Sequence, residues 1–415
     1  MAIEDDDIRD REVWTSVSRH WYSKASDKSP TTGRLYHHLA ILARPNALQQ
    51  LFYYTKSLCV PTPFASARDS IMTLFDPILN ATAQKSRLPA IDSAFVKAHG
   101  ILFSGKCEED FSGATETFFQ DLDNHIGRST RRWMEAGYYI GISNCCALLS
   151  YGEEENFIFQ TIRPPRTDDP ADVPMGEPLE MPEAFKRALD LARGTQEVVF
   201  RRLADPNVLP YVHTVLVFMD HLTAYPSAMG LVEASFPWKL ASSLLNSLLL
   251  SYRDYERLES GDFPRPEKNL RRPLPEDFAM KGLLWVDKYY PNDFFRNDKI
   301  DDDEKYFEVA SMTEERTERI LWLARRIATH NKWLTYDNAT HAFGVTSDYE
   351  QNLTSVSSDQ NFSTDINDTG MSSASEMSET ASEPSTIATP KNAEQADQWM
   401  MDVDESSQSG PIIKQ

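Results

Sequence analysis

The chain has 415 residues, 41% of them hydrophobic and 25% charged, which is enough to build a large core spread over two or three domains. Its formal net charge of −21 opposes the basic footprint that nucleic-acid binding ordinarily requires. No run of about eighteen uncharged apolar residues occurs, so no transmembrane helix is expected, and MAIEDDDIRD lacks the apolar segment of a secretory signal.

In chain order, residues 11–27 read as a helix whose Trp14, Val17 and Trp21 share one apolar face. The SPTTG segment ends it, and Thr32 is the expected N-cap of the next helix, lined by Leu35, Leu39 and Leu42. Pro45 suits the first turn of a third helix, where its missing N–H costs nothing. Leu51, Tyr54 and Leu58 of that helix should face inward. Pro63 opens a fourth, with Phe64, Ala67, Arg68, Ile71 and Phe75 along one side. Further helices are expected at 92–105, 112–126, 129–150, 182–204, 207–225, 237–254, 276–290 and 313–334. Ser311 and Glu314 are spaced as a capping box for the last. Residues 161–181 are rich in Pro and Asp and read as a flexible loop.

One pattern repeats. Trp21-Tyr22-Ser23-Lys24-Ala25 returns as Tyr53-Tyr54-Thr55-Lys56-Ser57, an offset of 32 residues. Pro30 follows the first copy, and Pro61 and Pro63 follow the second. A period near 34 with aromatics on the first helix and a proline at its exit is the mark of tetratricopeptide-like units. The expected fold is therefore all-α, a tetratricopeptide-like α-solenoid of antiparallel helix pairs with almost no strand, in which Trp21 and Tyr22 pack near Leu35 and Leu39. Such stacks leave a groove that binds other chains.

Residues 346–415 differ in kind. They hold 13 acidic and 2 basic residues with few aliphatics. Such a segment cannot offset the entropy of ordering, so it reads as a disordered acidic tail. SSASEMSETASEPSTIATP offers hydroxyls beside acids, read as a solvated linker or a phosphorylated one. QWMMDVDE at 398–405 has the acidic-hydrophobic alternation of a binding motif. The expected organisation is an acidic segment at 1–10, a helical domain at 11–345 and the tail at 346–415.

Four stretches together carry a family resemblance: GRLYHHLAILA and FYYTKSL within 21–64, FPWKLASSLLNSLL at 236–249, LPEDFAMKGLLWVDKYYP at 274–291 and EERTERILWLARRIA at 314–328. Roughly residues 10–335 resemble the DNA/RNA-binding domain of the ever-shorter-telomeres and nonsense-mediated-decay adaptor family. The resemblance implies a non-enzymatic helical adaptor in RNA surveillance or telomere maintenance. It implies protein partners from the RNA-decay or telomerase machinery, no membrane, and a place in the nucleus, the cytoplasm or both. Its alternative is a direct telomeric DNA- or RNA-binding protein that regulates telomerase. In this family a bundle resembling 14-3-3 proteins precedes the matched region and binds phosphoserine through basic residues. Here an acidic run stands before Arg9, so no phosphate-binding residue is carried over and N-terminal truncation is expected. One branch ends in a metal-dependent nuclease domain, for which the polar tail has no core.

The residues offer little chemistry. There is no P-loop, GxSxG or HExxH, so no catalytic residue, cofactor or metal is assigned. His37 and His38 are adjacent and do not face each other. His213 and His221 lack ligands on a second element. Asp301, Asp302, Asp303 and Glu304 lack the calcium-loop pattern. Cys59, Cys107, Cys145 and Cys146 have no zinc spacing and read as buried reduced thiols of an intracellular protein. Positive charge gathers at Arg253, Arg257, Arg265, Lys268, Arg271 and Arg272, with smaller groups at Arg128, Arg131, Arg132 and at Arg325, Arg326. Each is a candidate phosphate contact, or a partner for the abundant carboxylates.

Overall fold

A computed structural model describes residues 8–80, 89–162, 181–265, 272–296 and 305–350. Residues 163–180 of the loop expected at 161–181, the acidic run at 301–304, and Lys268 and Arg271 lie outside the described residues, as does the tail beyond 350, while residues 161 and 162 belong to the helix Phe157–Ile162.

The described chain is helical, as the repeat pattern implied. It opens with α1 (Ile8–Lys28), α2 (Gly33–Leu42), α3 (Ala47–Leu58) and α4 (Ala67–Leu79). Then come α5 (Ala90–Ser104), α6 (Phe111–Ser129), α7 (Trp133–Leu148), α8 (Phe157–Ile162) and α9 (Glu183–Phe200). Next are α10 (Leu209–Thr223), α11 (Pro226–Val232), α12 (Trp238–Leu249), α13 (Tyr255–Glu259), α14 (Pro275–Met280) and α15 (Ser311–Ala328). A hairpin of β1 (Leu334–Asp337) and β2 (Ala342–Val345) and the short α16 (Ser347–Glu350) follow.

The two repeat copies are stitched at their exits. Thr32 and Thr62 form a parallel bridge, Gly33 N–H donates to Thr62 O at 2.9 Å, and Phe64 N–H donates to Ser57 O at 3.1 Å. Gly33 makes this approach possible, since a Cβ there would lie 2.3 Å from Ser57 O. Thr32 holds the cap position of α2, but its hydroxyl bonds Ser29 Oγ at 2.8 Å and leaves the helix N–H groups alone. Asn46 caps α3 through Gln49 N–H at 2.9 Å, so Pro45 stands outside the first turn. The fourth helix starts at Ala67, four residues after Pro63. Ala67, Ile71 and Phe75 are fully buried, as their spacing required.

Two helices form the centre. Nearly every side chain of α7 and of α10 is buried, and each packs against the other. α15 lies on α10, and Arg316, Ile320, Leu323 and Ile327 all face inward. Residues 274–286 then return to the first repeats. Lys56 is buried and donates to Ala279 O at 2.5 Å, and Leu284 N–H donates to Cys59 O at 3.2 Å. Gly282, at φ +88°, sits against Pro30, where a Cβ would meet the carbonyl oxygen at 2.0 Å.

Several expectations are corrected. The helix expected over 276–290 stops at Met280, because Gly282 adopts a left-handed conformation that helices do not continue through. Only a single tight turn at Leu284–Val286 follows. The helix expected over 313–334 ends at Ala328, and Asn331 at φ 49° turns the chain into the hairpin. Leu334 pairs with Val345 there, and Asn246 of α12 bonds both N–H and C=O of Phe343. No capping box forms at Ser311, which is the first helical residue behind Ala310. Trp21 does not pack on α2: it is 63% exposed, and of the pair only Tyr22 joins the Tyr36–Leu39–Val60 cluster, beside Tyr53. Ordered structure also runs past 345, with Thr346 N–H bonded to Trp333 O at 3.1 Å and the Tyr349 ring edge-on to Trp238. Cys59, Cys145 and Cys146 are buried, while Cys107 is half-buried.

Candidate recognition surfaces

The arginine stretch from 253 to 272 does not form one phosphate cradle. Arg253 is exposed between α12 and α13. Arg257 pairs with Glu318 at 2.6 Å and donates to the Arg265 carbonyl. Arg265 forks onto both oxygens of Asp293 at 2.9 and 2.8 Å. Arg272 is half-buried, and its Nε and Nη2 have no hydrogen-bond partner among the described residues. Arg325 donates to Leu258 O at 3.1 Å, and Arg326 pairs with Asp220 at 3.1 Å above the Trp322 ring. Among the described candidates, carboxylates thus take Arg257, Arg265 and Arg326, while Arg131 and Arg325 donate to backbone carbonyls.

A buried ionic network sits behind these residues. Glu276 and Arg316 are both fully buried and join through two bonds of 2.6 and 2.9 Å. Arg316 also forks onto Glu308 at 2.8 and 3.2 Å. His213 bridges Glu276 Oε1 at 2.9 Å and the Tyr289 hydroxyl at 2.7 Å. Arg319 stacks 4.0 Å over Phe263, donates to Pro264 O at 3.0 Å and lies 3.7 Å from Asp277. Burial pushes the Glu276 carboxyl up, but the Arg316 charge and His213 outweigh it and hold the group well below the usual carboxylate range. Burial raises the Asp277 carboxyl and outweighs the nearby Arg319 charge, although Leu274 N–H and the Tyr290 hydroxyl donate to it. These residues bind α10, α14 and α15 together. His213 is consumed here, so it forms no site with His221. Among the described residues no group of three or more His, Cys, Asp or Glu is placed to hold a metal ion.

In front of the network lies an open cleft of about 410 Å³. Arg131 and Arg132 stand on its rim, Pro210 and Pro275 line it, and Tyr138, Tyr306 and Phe307 supply aromatic walls. The chain just before α15 crosses it as a strap. Lys305 pairs with Asp27 of α1, Glu308 meets Arg316, and Arg131 donates to the Glu308 carbonyl. The strap leaves Phe307 63% and Tyr306 44% exposed beside two arginines. Sequence reading found Arg131 and Arg132 without these aromatics, which lie about 175 residues away. A weak signal was present, since YF one residue beyond an acidic run is a poor fit for a solvated loop.

A second surface is the outward side of α1. Tyr22 stacks on His38 at 4.7 Å, and Ser26 is buried, so one face of the helix rests on α2. The other face leaves Val13 60%, Trp14 42%, Val17 42% and Trp21 63% exposed. The apolar spacing that identified the helix is therefore the spacing of an uncovered stripe. Among the described residues no helix is long and apolar enough to cross a membrane.

Comparison with known proteins agrees with this architecture. The family model of the Est1 DNA/RNA-binding domain matches residues 18–289. The telomerase-binding protein EST1A of Danio rerio is 36% identical over 85 residues, which is 20% of this chain and 5% of that protein. Among solved structures, the crystal structure of Est1 and Cdc13 matches with a TM-score of 0.53 at 12% identity. That match covers 78% of this chain and 64% of the solved one. The chain therefore spans a small part of the curated relative and under two thirds of the structural one.

Proposed function

This chain belongs to the Est1 DNA/RNA-binding-domain family, and from that premise we propose that it is a telomere-maintenance module that acts as a non-enzymatic adaptor. It holds protein partners of the telomerase machinery and brings no cofactor to them. The observation that carries this reading is the state of its cations. Arg257, Arg265, Arg316 and Arg326 each engage a carboxylate of the same chain. A phosphate backbone would have to displace those partners from a protein of net charge −21. The EST1A relative is a telomerase-binding protein by name, and the solved structure of like fold is that of Est1 and Cdc13; both favour the telomeric branch. A telomeric role requires the nucleus, which fluorescence microscopy of the tagged chain checks.

A second reading rests on the cleft. Exposed Tyr306 and Phe307 beside Arg131 and Arg132 are the elements of a stacking platform for single-stranded nucleic acid. One assay separates the two. Fluorescence anisotropy with single-stranded telomeric-repeat DNA and RNA is run across salt, beside affinity capture of telomerase from nuclear extract. The adaptor reading expects telomerase to be retained and nucleic acid to bind no tighter than about 10 µM at physiological salt, the non-specific range. Tight, salt-sensitive binding that Phe307→Ala abolishes would replace it with the second reading. Capture of RNA-decay factors in place of telomerase would assign the surveillance branch.

A further inference from the structure

We propose that the cleft between the arginine turn at 128–132 and the strap is a docking site for an extended peptide segment of a partner protein, one that carries an aromatic side chain flanked by acidic ones. This rests on the adaptor reading and names the partner chemistry of one of its surfaces. The first argument is charge. Arg128, Arg131 and Arg132 straddle the end of α6, all three are exposed, and none has a carboxylate partner among the described residues. Arg202, which reaches the same helix, is by contrast held by Asp123 and Asp205 at 2.6 and 2.8 Å. Three open arginines on a chain of −21 call for a carboxylate from outside, which a guanidinium binds in a fork. Thr130 between them sits at φ 47°, ψ −122°. A β-branched residue pays for that backbone, and such strain gathers at ligand clamps.

The second argument is that this surface already holds peptide. Residues 305–310 cross the cleft outside any helix or strand, and Arg131 donates to the Glu308 main-chain carbonyl. A guanidinium here binds extended backbone. A second extended segment laid beside the strap offers Arg132 a carbonyl or a carboxylate in the same way.

The pattern of sign favours peptide over nucleic acid. Glu135 lines the same cleft, is exposed, accepts the Tyr139 hydroxyl at 2.8 Å and has no cation partner among the described residues. A phosphate backbone is negative at every unit and meets repulsion there. A peptide gives N–H groups to Glu135 and acidic side chains to Arg132. Its aromatic side chain covers Phe307, which is 63% exposed, above the apolar floor of Met134, Tyr138 and Pro210. The volume of about 410 Å³ lies at the small end of ligand sites, roughly 300–1,000 Å³, which suits one or two large side chains. The arginines stand on an open rim, so salt weakens the complex.

A phage-displayed library of random peptides, panned on the full chain, tests this. The selected peptides should share an aromatic residue with Asp or Glu on both sides, and a synthetic copy of their consensus should bind in the micromolar range by fluorescence anisotropy. Arg132→Glu and Phe307→Ala should each weaken that peptide at least tenfold with an unchanged circular-dichroism spectrum, since both side chains are exposed. Panning the same library on a chain with Arg128→Glu and Arg132→Glu should keep the aromatic residue and replace its acidic neighbours with Lys or Arg. Selection of no consensus, a consensus without acids, or binding indifferent to Arg132→Glu overturns the proposal. If telomerase is still captured from nuclear extract in that case, the cleft assignment falls and the adaptor reading stands. Tight binding of single-stranded telomeric-repeat DNA or RNA that Arg132→Glu abolishes gives the cleft to nucleic acid, and both fall.

Discussion

Replacing Arg316 with Met should be among the most damaging single changes in the described core. The side chain is fully buried, and the substitution keeps most of its apolar volume while deleting four charge-assisted bonds, two each to Glu276 and Glu308. Glu308 is 15% exposed and recovers water. Glu276 is not, and is left charged with His213 as its remaining partner. Breaking one side of a buried pair costs about 3–5 kcal/mol, and at roughly 2–4 °C per kcal/mol the melting temperature should fall by on the order of 10 °C. Pairing Arg316→Met with Glu276→Gln should recover at least half of the loss, because the orphaned charge is gone. The pH dependence gives an independent sign. With Arg316 present the Glu276 carboxyl is held low, so its stabilisation is present above the ordinary value of 4.5 and is lost as pH falls below it. Without Arg316, burial dominates and raises the group, so lowering the pH should stabilise the variant. Urea melts from about pH 2.5 to about pH 8 read both effects. A cost under about 1 kcal/mol, or a double variant that is simply additive, would refute the assignment of this pair as the clamp between α14 and α15.

Asp220 is nearly buried, and burial pushes it up to about 6 against the opposing charge of Arg326. A raised carboxyl contributes stability below its ordinary value of 3.8 that is lost as pH rises through about 6. Asp220→Asn should therefore flatten that window and add up to about 3 kcal/mol at neutral pH, as chemical melts at pH 4 and pH 7.5 will show. Gly282→Ala forces a Cβ into the Pro30 carbonyl at a left-handed backbone, and should cost about 3 kcal/mol or more in the same melts. A chain ending at 345 should melt below one ending at 350 by about 1–2 kcal/mol, because it loses the Thr346 bonds to Trp333 and Lys332 and the Tyr349 ring against Trp238.

Where local pattern and tertiary packing agree, the fold was legible. The repeated WYSKA and YYTKS units placed α1 and α3, and the apolar spacing of Ala67, Ile71 and Phe75 placed the buried side of α4. The misses have two causes. Residues 276–290 have the composition of a helix, yet Gly282 must turn left-handed to rest on Pro30, a partner some 250 positions away. The hairpin at 334–345 was hidden by its length, since four-residue strands barely register as alternation. It is held by Asn246 of α12 rather than by any local preference.

The recognition surfaces were legible in the opposite sense. The α1 stripe could be read from Trp14, Val17 and Trp21, but the same spacing is what a buried helix shows. The sequence thus supplied the stripe and not its exposure. The arginines were visible as charge, and their fate was decided by where carboxylates arrived in space. Asp293, 28 positions from Arg265, accepts its fork, and Glu318 takes Arg257. One pair did leave a trace. Arg316 and Arg319 interrupt the apolar stripe that continues through Ile320, Leu323 and Ile327, and LPEDFA sets Glu276 and Asp277 among apolar neighbours. Charges of opposite sign at core positions of two segments predict that the segments meet, because neither can be buried without the other. That rule finds the clamp, which holds the cleft behind Arg131 and Phe307 in shape. It cannot find what enters the cleft, since exposed aromatics pay no such penalty and leave no obligatory partner in the sequence.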